Sequence, residues 1–493
     1  MTVKNMLRRV TAGTGALMLA LAGGVATGTA ASAATAGPGQ PGAPDAGTLT
    51  INLYEGGTGQ DLEDLKGKEG LSDVEFTVTQ VGRMNGGTCA PIDLTKAGQW
   101  TGLDALFASA PAAPAGDFCV TDTKQVKATN KAGQVTFELG LGVYFVEESG
   151  HGDNNVVSEV PNFYASIPTS EGTSGNGWNY NVVANPKNQL MGKPSKVISE
   201  RPNALTVGST VKWTITIPVP SLNNNETFNE AVITDSLDSR LSLVKGSTSL
   251  TVGSTTLTEG THFDVSGNAV WTLNEAGRQV LDENMSGTMT LTFDTTVNTI
   301  GEDGAIANTT DNYYTTFNRT TVNGNTSAYT YWGQMEIRKV DDSNDPLPLQ
   351  GAEFQVYEPV NNQCSTSVPE TGLIATGVSG DDGVVSWDHN QGSSLGLWVA
   401  NSNQGPADPT PTKDYCVYET IVPAGHTGVA INNPVTITPG EKSIKKFDVV
   451  NAKTAGPNLP LTGAQGTILM TVAGILLVVV GGGGMYLARR KKS

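Results

Sequence analysis

The sequence predicts an all-β chain of three tandem antiparallel β-sandwiches, flanked by two terminal segments of a different kind. Short apolar–polar alternations recur along it: "TLTINLYEG", "VEFTVTQV", "QVTFEL", "TVKWTITIPV", "TMTLTFDTTV", "AEFQVYE", "PVTITPG" and "KFDVVN". Gly, Asn, Asp and Pro turns separate them, which is the pattern of half-buried strands in sandwiches. Helical periodicity is scarce, confined to "LEDLKGK" and "LDALFAS", which read as short helices in insertions. The length of 493 residues fits about three domains once the ends are set aside.

Residues 1–33 read as a signal peptide. Lys4, Arg8 and Arg9 form a basic start, an apolar stretch follows around Ala16 to Ala22, and Ala31-Ser32-Ala33 is a small-residue cleavage site. That apolar stretch is too short to span a bilayer. A Gly/Pro/Ala linker then leads into the first sandwich, 34–188. The middle sandwich, 189–330, has longer strands and contains "AVITDSLDSRLSL". The last sandwich is 331–456. The first and last look like copies of one plan: "LTINLYEG…LSDVEFTV…LGVYFVEES" parallels "MEIRKVDD…LQGAEFQV…KDYCVYETIVPAGH".

At the C-terminus, the uncharged run 468–488 is long enough to span a bilayer, and Arg489, Arg490, Lys491 and Lys492 hold its end inside. Just before it stands Leu459-Pro460-Leu461-Thr462-Gly463. The formal net charge is −17, although both ends are basic. So acidic a body excludes nucleic acid as a partner. The four cysteines fall into two separated pairs, Cys89 with Cys119 and Cys364 with Cys416, which outside the cytoplasm reads as two disulfides. No Cys-x-x-Cys or His-x-x-x-His spacing occurs, so no metal site and no cofactor is expected. "DDSNDP" is rich in hard oxygen ligands for Ca²⁺, but a solvated loop is the preferred reading. No phosphate loop or triad order points to an enzyme.

Leu459-Pro460-x-Thr462-Gly463, an apolar span and a basic tip, in that order behind a signal peptide, resemble the cell-wall sorting signal of Gram-positive surface proteins. The resemblance implies that a sortase cysteine attacks the Thr462–Gly463 carbonyl and passes the Thr462 acyl group to an amine. "WNYNVVANPKN" resembles the pilin motif of sortase-assembled pilus shafts. Trp178, Val182, Pro186 and Lys187 match, while Ala184 and Asn185 replace the usual Val and Tyr. Strand parity puts Trp178, Tyr180, Val182 and Ala184 on one inward face. Pro186 cannot donate to a ladder, so the strand is expected to end or lie on an edge there, with Lys187 past the core. The resemblance makes Lys187 the acceptor for Thr462.

"DYCVYETIVPAGH" resembles the E-box of CnaB-like pilin domains through Tyr415, Glu419, Thr420, Pro423 and Gly425. In that family a first-strand lysine condenses with a last-strand asparagine, assisted by the glutamate. The residues here are Lys339, Asn451 and Glu419. Met335, Ile337 and Lys339 share a parity, as do Tyr415, Val417 and Glu419, and Phe447, Val449 and Asn451. Three polar groups continuing apolar faces would be costly unless they met, and burial disfavours charge on Lys339 and Glu419 alike.

The middle third resembles the CnaA-like domain, where an aspartate assists. Lys196, Asn308 and Asp235 are the candidates, with Asn312 a competitor for Asn308. Aligning "LTINL" with "MEIRK" puts Leu53 where Lys339 stands, so the first sandwich is expected to lack a bond although Glu148 occupies the E-box position. The implied fold is a series of immunoglobulin-like domains, CnaB-like, CnaA-like, CnaB-like, and the plan resembles the major fimbrial subunits of Actinomyces. The implied function is a fimbrial shaft subunit for surface attachment. Its expected partners are a pilus-class sortase, identical subunits, minor pilins and peptidoglycan; the sequence names no receptor. The alternative is a monomeric wall-anchored adhesin or a minor pilin at base or tip.

Overall fold

The computed structural model describes residues 35–56, 68–170, 177–223, 226–389, 392–428 and 433–454. The sorting pentapeptide 459–463, the signal segment 1–33 and the span 468–488 lie outside them, as does most of "LEDLKGK". Among the described residues no helix is long and apolar enough to cross a membrane.

The chain folds into facing β-sheets. In its first part, strand Ala46–Asn52 lies between Gln134–Gly140, antiparallel, and Asn181–Ala184, parallel. The facing sheet runs Thr88–Pro91, Glu75–Asn85, Gly142–Gly150, Phe163–Ile167, with Phe118–Ala128 also on Glu75–Asn85. Leu49, Ile51, Phe76, Val78, Phe137 and Val146 pack between them. The alternation that defined these strands is what fills the core, because successive side chains point to opposite faces. The helix foreseen in "LDALFAS" forms at Leu103–Ala108 and seals a smaller core of Val81, Leu94, Phe145 and Tyr164.

The middle part faces Ser195–Ile198, Thr210–Pro218, Thr288–Val297, Ser249–Val252 and Thr255–Leu257 against Phe263–Ser266, Val270–Leu273, Ala231–Asp235, Tyr313–Phe317 and Thr320–Asn323. The sequence reading had no helix here, yet Glu275–Asp282 is one. Asn274 caps it, its side chain accepting from Gly277 N at 3.2 Å, and Leu281 anchors it in the core.

The 14-residue strand Ala328–Asp341 leads into the last part. Its first half pairs with Ala305–Asn308, its second half with Lys445–Lys453 in parallel, and Leu395–Ser402 runs along it. The expected boundary at 330/331 therefore falls inside one continuous strand. The facing sheet is Val385–Trp387, Ala375–Ser379, Glu353–Tyr357, Lys413–Ile421 and Val435–Ile437. Both expected disulfides are present, Cys89–Cys119 and Cys364–Cys416. Each stabilises by about 2–4 kcal/mol, chiefly through the unfolded chain.

Candidate cross-linking and acceptor sites

In the last part the parity reading corresponds to a real convergence. Lys339 and Asn451 lie on adjacent parallel strands, and Glu419 reaches them from the facing sheet. Lys339 and Asn451 are fully buried. Lys339 Nζ is 3.9 Å from Glu419 Oε1 and donates to the Val449 carbonyl at 2.8 Å. Asn451 Nδ2 donates to Glu419 Oε1 at 2.8 Å. Burial pulls the Lys339 amine below its ordinary range, with Glu419 opposing.

The middle part assembles the same chemistry differently. Lys196, Asp235 and Asn308 are all buried. Lys196 Nζ forms an ion pair with Asp235 Oδ2, and Asn308 Nδ2 donates to Asp235 Oδ1 at 2.6 Å. Burial lowers the Lys196 amine, and Asp235 works against that shift. Three rings surround the amine, with centres at 4.4 Å for Trp213, 5.1 Å for Phe293 and 5.7 Å for Tyr313. Sequence reasoning missed this cage, although each ring occupies an inward position of its strand's alternation. Asn312 is engaged elsewhere, its Oδ1 accepting from Thr309 N and Oγ1 at 2.8 and 2.9 Å.

In both places the asparagine presents Nδ2, not its carbonyl, to the carboxylate. The amide nitrogen is the donor and the carboxylate oxygen the acceptor in each. The Asn308 and Asn451 Oδ1 atoms are buried and lack a hydrogen-bond partner among the described residues. Asp341, in "DDSNDP", has its oxygens committed to Lys453, Leu347 and Ser343.

Lys187 opens the strand Lys187–Leu190, which pairs in parallel with Tyr54–Glu55 and antiparallel with Val156–Ser158. Pro186 interrupts the ladder after Ala184, but pairing resumes at once at Lys187. Lys187 is half-buried between buried Pro186 and Asn188. Of the inward face, Tyr180, Val182 and Ala184 are buried and Trp178 is half-buried. Trp178 lies 5.4 Å from the Trp100 ring and presses on Gly37, where an added Cβ would come within 2.6 Å of Nε1. Tyr180 Oη donates to the Ala36 carbonyl at 2.9 Å.

Residues 44–189 match the profile of the Gram-positive pilin subunit D1, N-terminal domain. The chain carries a Gram-positive pilin domain. Its residues 451–493 match the LPXTG cell wall anchor motif, which places it in a cell-wall-anchored fimbrium. It is similar to the fimbrial subunit type 2 of Actinomyces naeslundii, 28% identical over 98% of this chain and 97% of the relative. The fimbrial subunit type 1 of Actinomyces viscosus is also 28% identical, over 97% of each. Among solved structures, the full-length major pilin SpaD of Corynebacterium diphtheriae aligns with a TM-score of 0.59 at 23% identity, covering 83% of this chain and 98% of that one. The major pilin SpaA of the same organism aligns at 0.50 and 19%, covering 83% and 100%. These two likenesses concern the fold alone.

Proposed function

We propose that this protein is the repeating shaft subunit of a sortase-built fimbria, joined through an isopeptide bond between Thr462 of one subunit and Lys187 of the next. The domains are 34–188, CnaB-like and ending in the pilin motif; 189–330, CnaA-like; and 331–456, CnaB-like. The observation that carries the reading is Lys187 itself. It is a half-buried lysine that opens a paired strand between buried Pro186 and Asn188, in a chain whose C-terminal segment carries Leu459-Pro460-Leu461-Thr462-Gly463. A pilus-class sortase supplies the catalytic cysteine, and the same pathway accounts for peptidoglycan attachment and for joining to minor pilins.

Two internal bonds harden the subunit, Lys339–Asn451 and Lys196–Asn308. In each, the amine Nζ attacks the asparagine Cγ, the new Nζ–Cγ bond replaces Cγ–Nδ2, and Nδ2 leaves as ammonia. Glu419 and Asp235 take the lysine proton and deliver it to the departing nitrogen. Burial lowers both lysines, which favours the neutral, nucleophilic form of each amine. This chemistry is internal and single-turnover, so the protein is a structural element and not an enzyme.

The test is a denaturing gel of wall extracts from wild-type and Lys187→Ala cells, probed for this protein. A high-mass ladder that collapses to monomer in the variant is the expected result. A single wall-linked band in both would leave a monomeric adhesin, and a ladder surviving the substitution would move the acceptor to another lysine.

A further inference from the structure

The first sandwich repeats the backbone of the last one around a site that lacks a nucleophile. In the last sandwich Asn451 stands opposite Asp341, two residues after Lys339. In the first, Asn188 stands opposite Glu55, two residues after Leu53, in an equally parallel pair. Glu419 is paired with Phe354 beside an irregularity at Glu353, and Glu148 with Phe76 beside one at Glu75. Lys339 N donates to the Gly383 carbonyl at 2.7 Å and its own carbonyl accepts from Leu349 N at 2.9 Å. Leu53 N donates to the Gly133 carbonyl at 2.8 Å and its carbonyl accepts from Leu71 N at 3.0 Å. Gly383 and Gly133 share a positive φ, 80° and 73°.

The side chains agree with the backbone. Asn188 Nδ2 donates to Glu148 Oε1 at 2.7 Å, against 2.8 Å for Asn451 and Glu419. Both asparagines are fully buried, and Asn188 Oδ1, like Asn451 Oδ1, has no hydrogen-bond partner among the described residues. Glu148 is closed off from solvent and also accepts from Val160 N at 2.9 Å and meets His151 Nδ1 at 2.9 Å. Leu53 is fully buried.

We propose that Glu148 and Asn188 form a preorganised amide-condensation site, complete except that Leu53 occupies the place of its lysine. A lysine at position 53 would attack Asn188 Cγ, form an Nζ–Cγ bond, and release Nδ2 as ammonia with Glu148 carrying the proton. In the native chain the same pair clamps the strand that carries Lys187 by hydrogen bonds instead of a covalent tie. The inference rests on the reading that the two complete triads condense, and the experiment separates the two.

The experiment is intact-mass measurement and peptide mapping of the full chain carrying Leu53→Lys, beside wild type, Leu53→Met and Leu53→Lys/Glu148→Gln. The expected result is one ammonia lost beyond the wild-type mass and a cross-linked peptide joining residues 53 and 188, both absent when Glu148→Gln is added. A folded Leu53→Lys chain with Asn188 intact overturns the proposal. So does a Leu53→Lys chain that cannot fold while Leu53→Met does, because a site built like that of Lys339 must accept a lysine stem. Intact amides at Asn308 and Asn451 in wild type would instead strike the general condensation reading, whatever position 53 does.

Discussion

Lys196 Nζ lies 4.4 Å from the centre of the Trp213 ring, inside a core closed to solvent. The ring fills core volume and walls in the Lys196 nitrogen, so Trp213→Ala removes a core side chain and one wall of the cage. A large-to-small change of this kind costs about 3–5 kcal/mol. Denaturant unfolding should show a loss of that size, and Trp213→Phe, which keeps an aromatic face, should lose clearly less.

Among the described residues Asp235 is the acid in contact with both Lys196 and Asn308. Asp235→Asn should leave the amide of Asn308 unreacted, seen as one retained ammonia in the mass of the chain. It also strands a buried amine, and removal of one partner of such a pair costs about 3–5 kcal/mol. A variant that still forms the Lys196–Asn308 cross-link would show that Asp235 has no part in it.

In an Asn308→Ala chain Lys196 stays a free amine, and its pH behaviour becomes measurable. Its folded pKa is depressed by burial, so between that value and the ordinary lysine value of about 10.4 the unfolded state binds more protons than the folded one. Stability must then rise with pH across this window. The measurement is urea unfolding of Asn308→Ala from neutral pH upward, taken as the difference from Asn308→Ala/Lys196→Met. A flat or falling difference would contradict the assignment.

Gly47 sits where the first strand meets the pilin motif. An added Cβ would lie 2.0 Å from the Tyr180 carbonyl oxygen, which accepts from Thr48 N at 2.8 Å. Gly47→Ala must therefore push the motif strand away, at a cost of about 1–3 kcal/mol. Thermal unfolding should fall accordingly, and the fimbrial ladder should weaken while Lys187 itself is untouched.

Reduction of Cys364–Cys416 releases a 52-residue separation, and the chain should lose about 2–4 kcal/mol. Comparing Cys364→Ser/Cys416→Ser with wild type by calorimetry checks this. No loss would mean that the neighbouring strands already hold this edge.

Much of this was legible in the sequence because strands have a period of two. Lys339, Glu419 and Asn451 each end an apolar parity run, and buried polar groups at such places have to meet. The same logic failed where the period is interrupted. Asn308 and Asn312 share a nominal face, but a turn at Thr309–Asn312 breaks the strand between them. Asn188 falls on the same parity as Trp178, Tyr180, Val182 and Ala184 and is buried like the last three; it is passed over when the count stops at Pro186, although the alternation runs on through it. The cage around Lys196 comes from three strands distant in sequence, a convergence that only tertiary packing reveals. The helix Glu275–Asp282 escaped notice because its stability comes from one cap and one buried leucine, not from a long apolar stripe.

The strands that open and close the last sandwich run side by side in the same direction, Met335 opposite Lys445 through Asp341 opposite Asn451. A pull between Ala328 and Lys453 drags these two strands lengthwise past each other. Every rung of the ladder then bears the load together, instead of parting one after another as in a peeled hairpin. With Lys339 tied to Asn451, the tension would pass directly from one strand to the other near the exit, and the other strands of the sandwich would lie off the line of force.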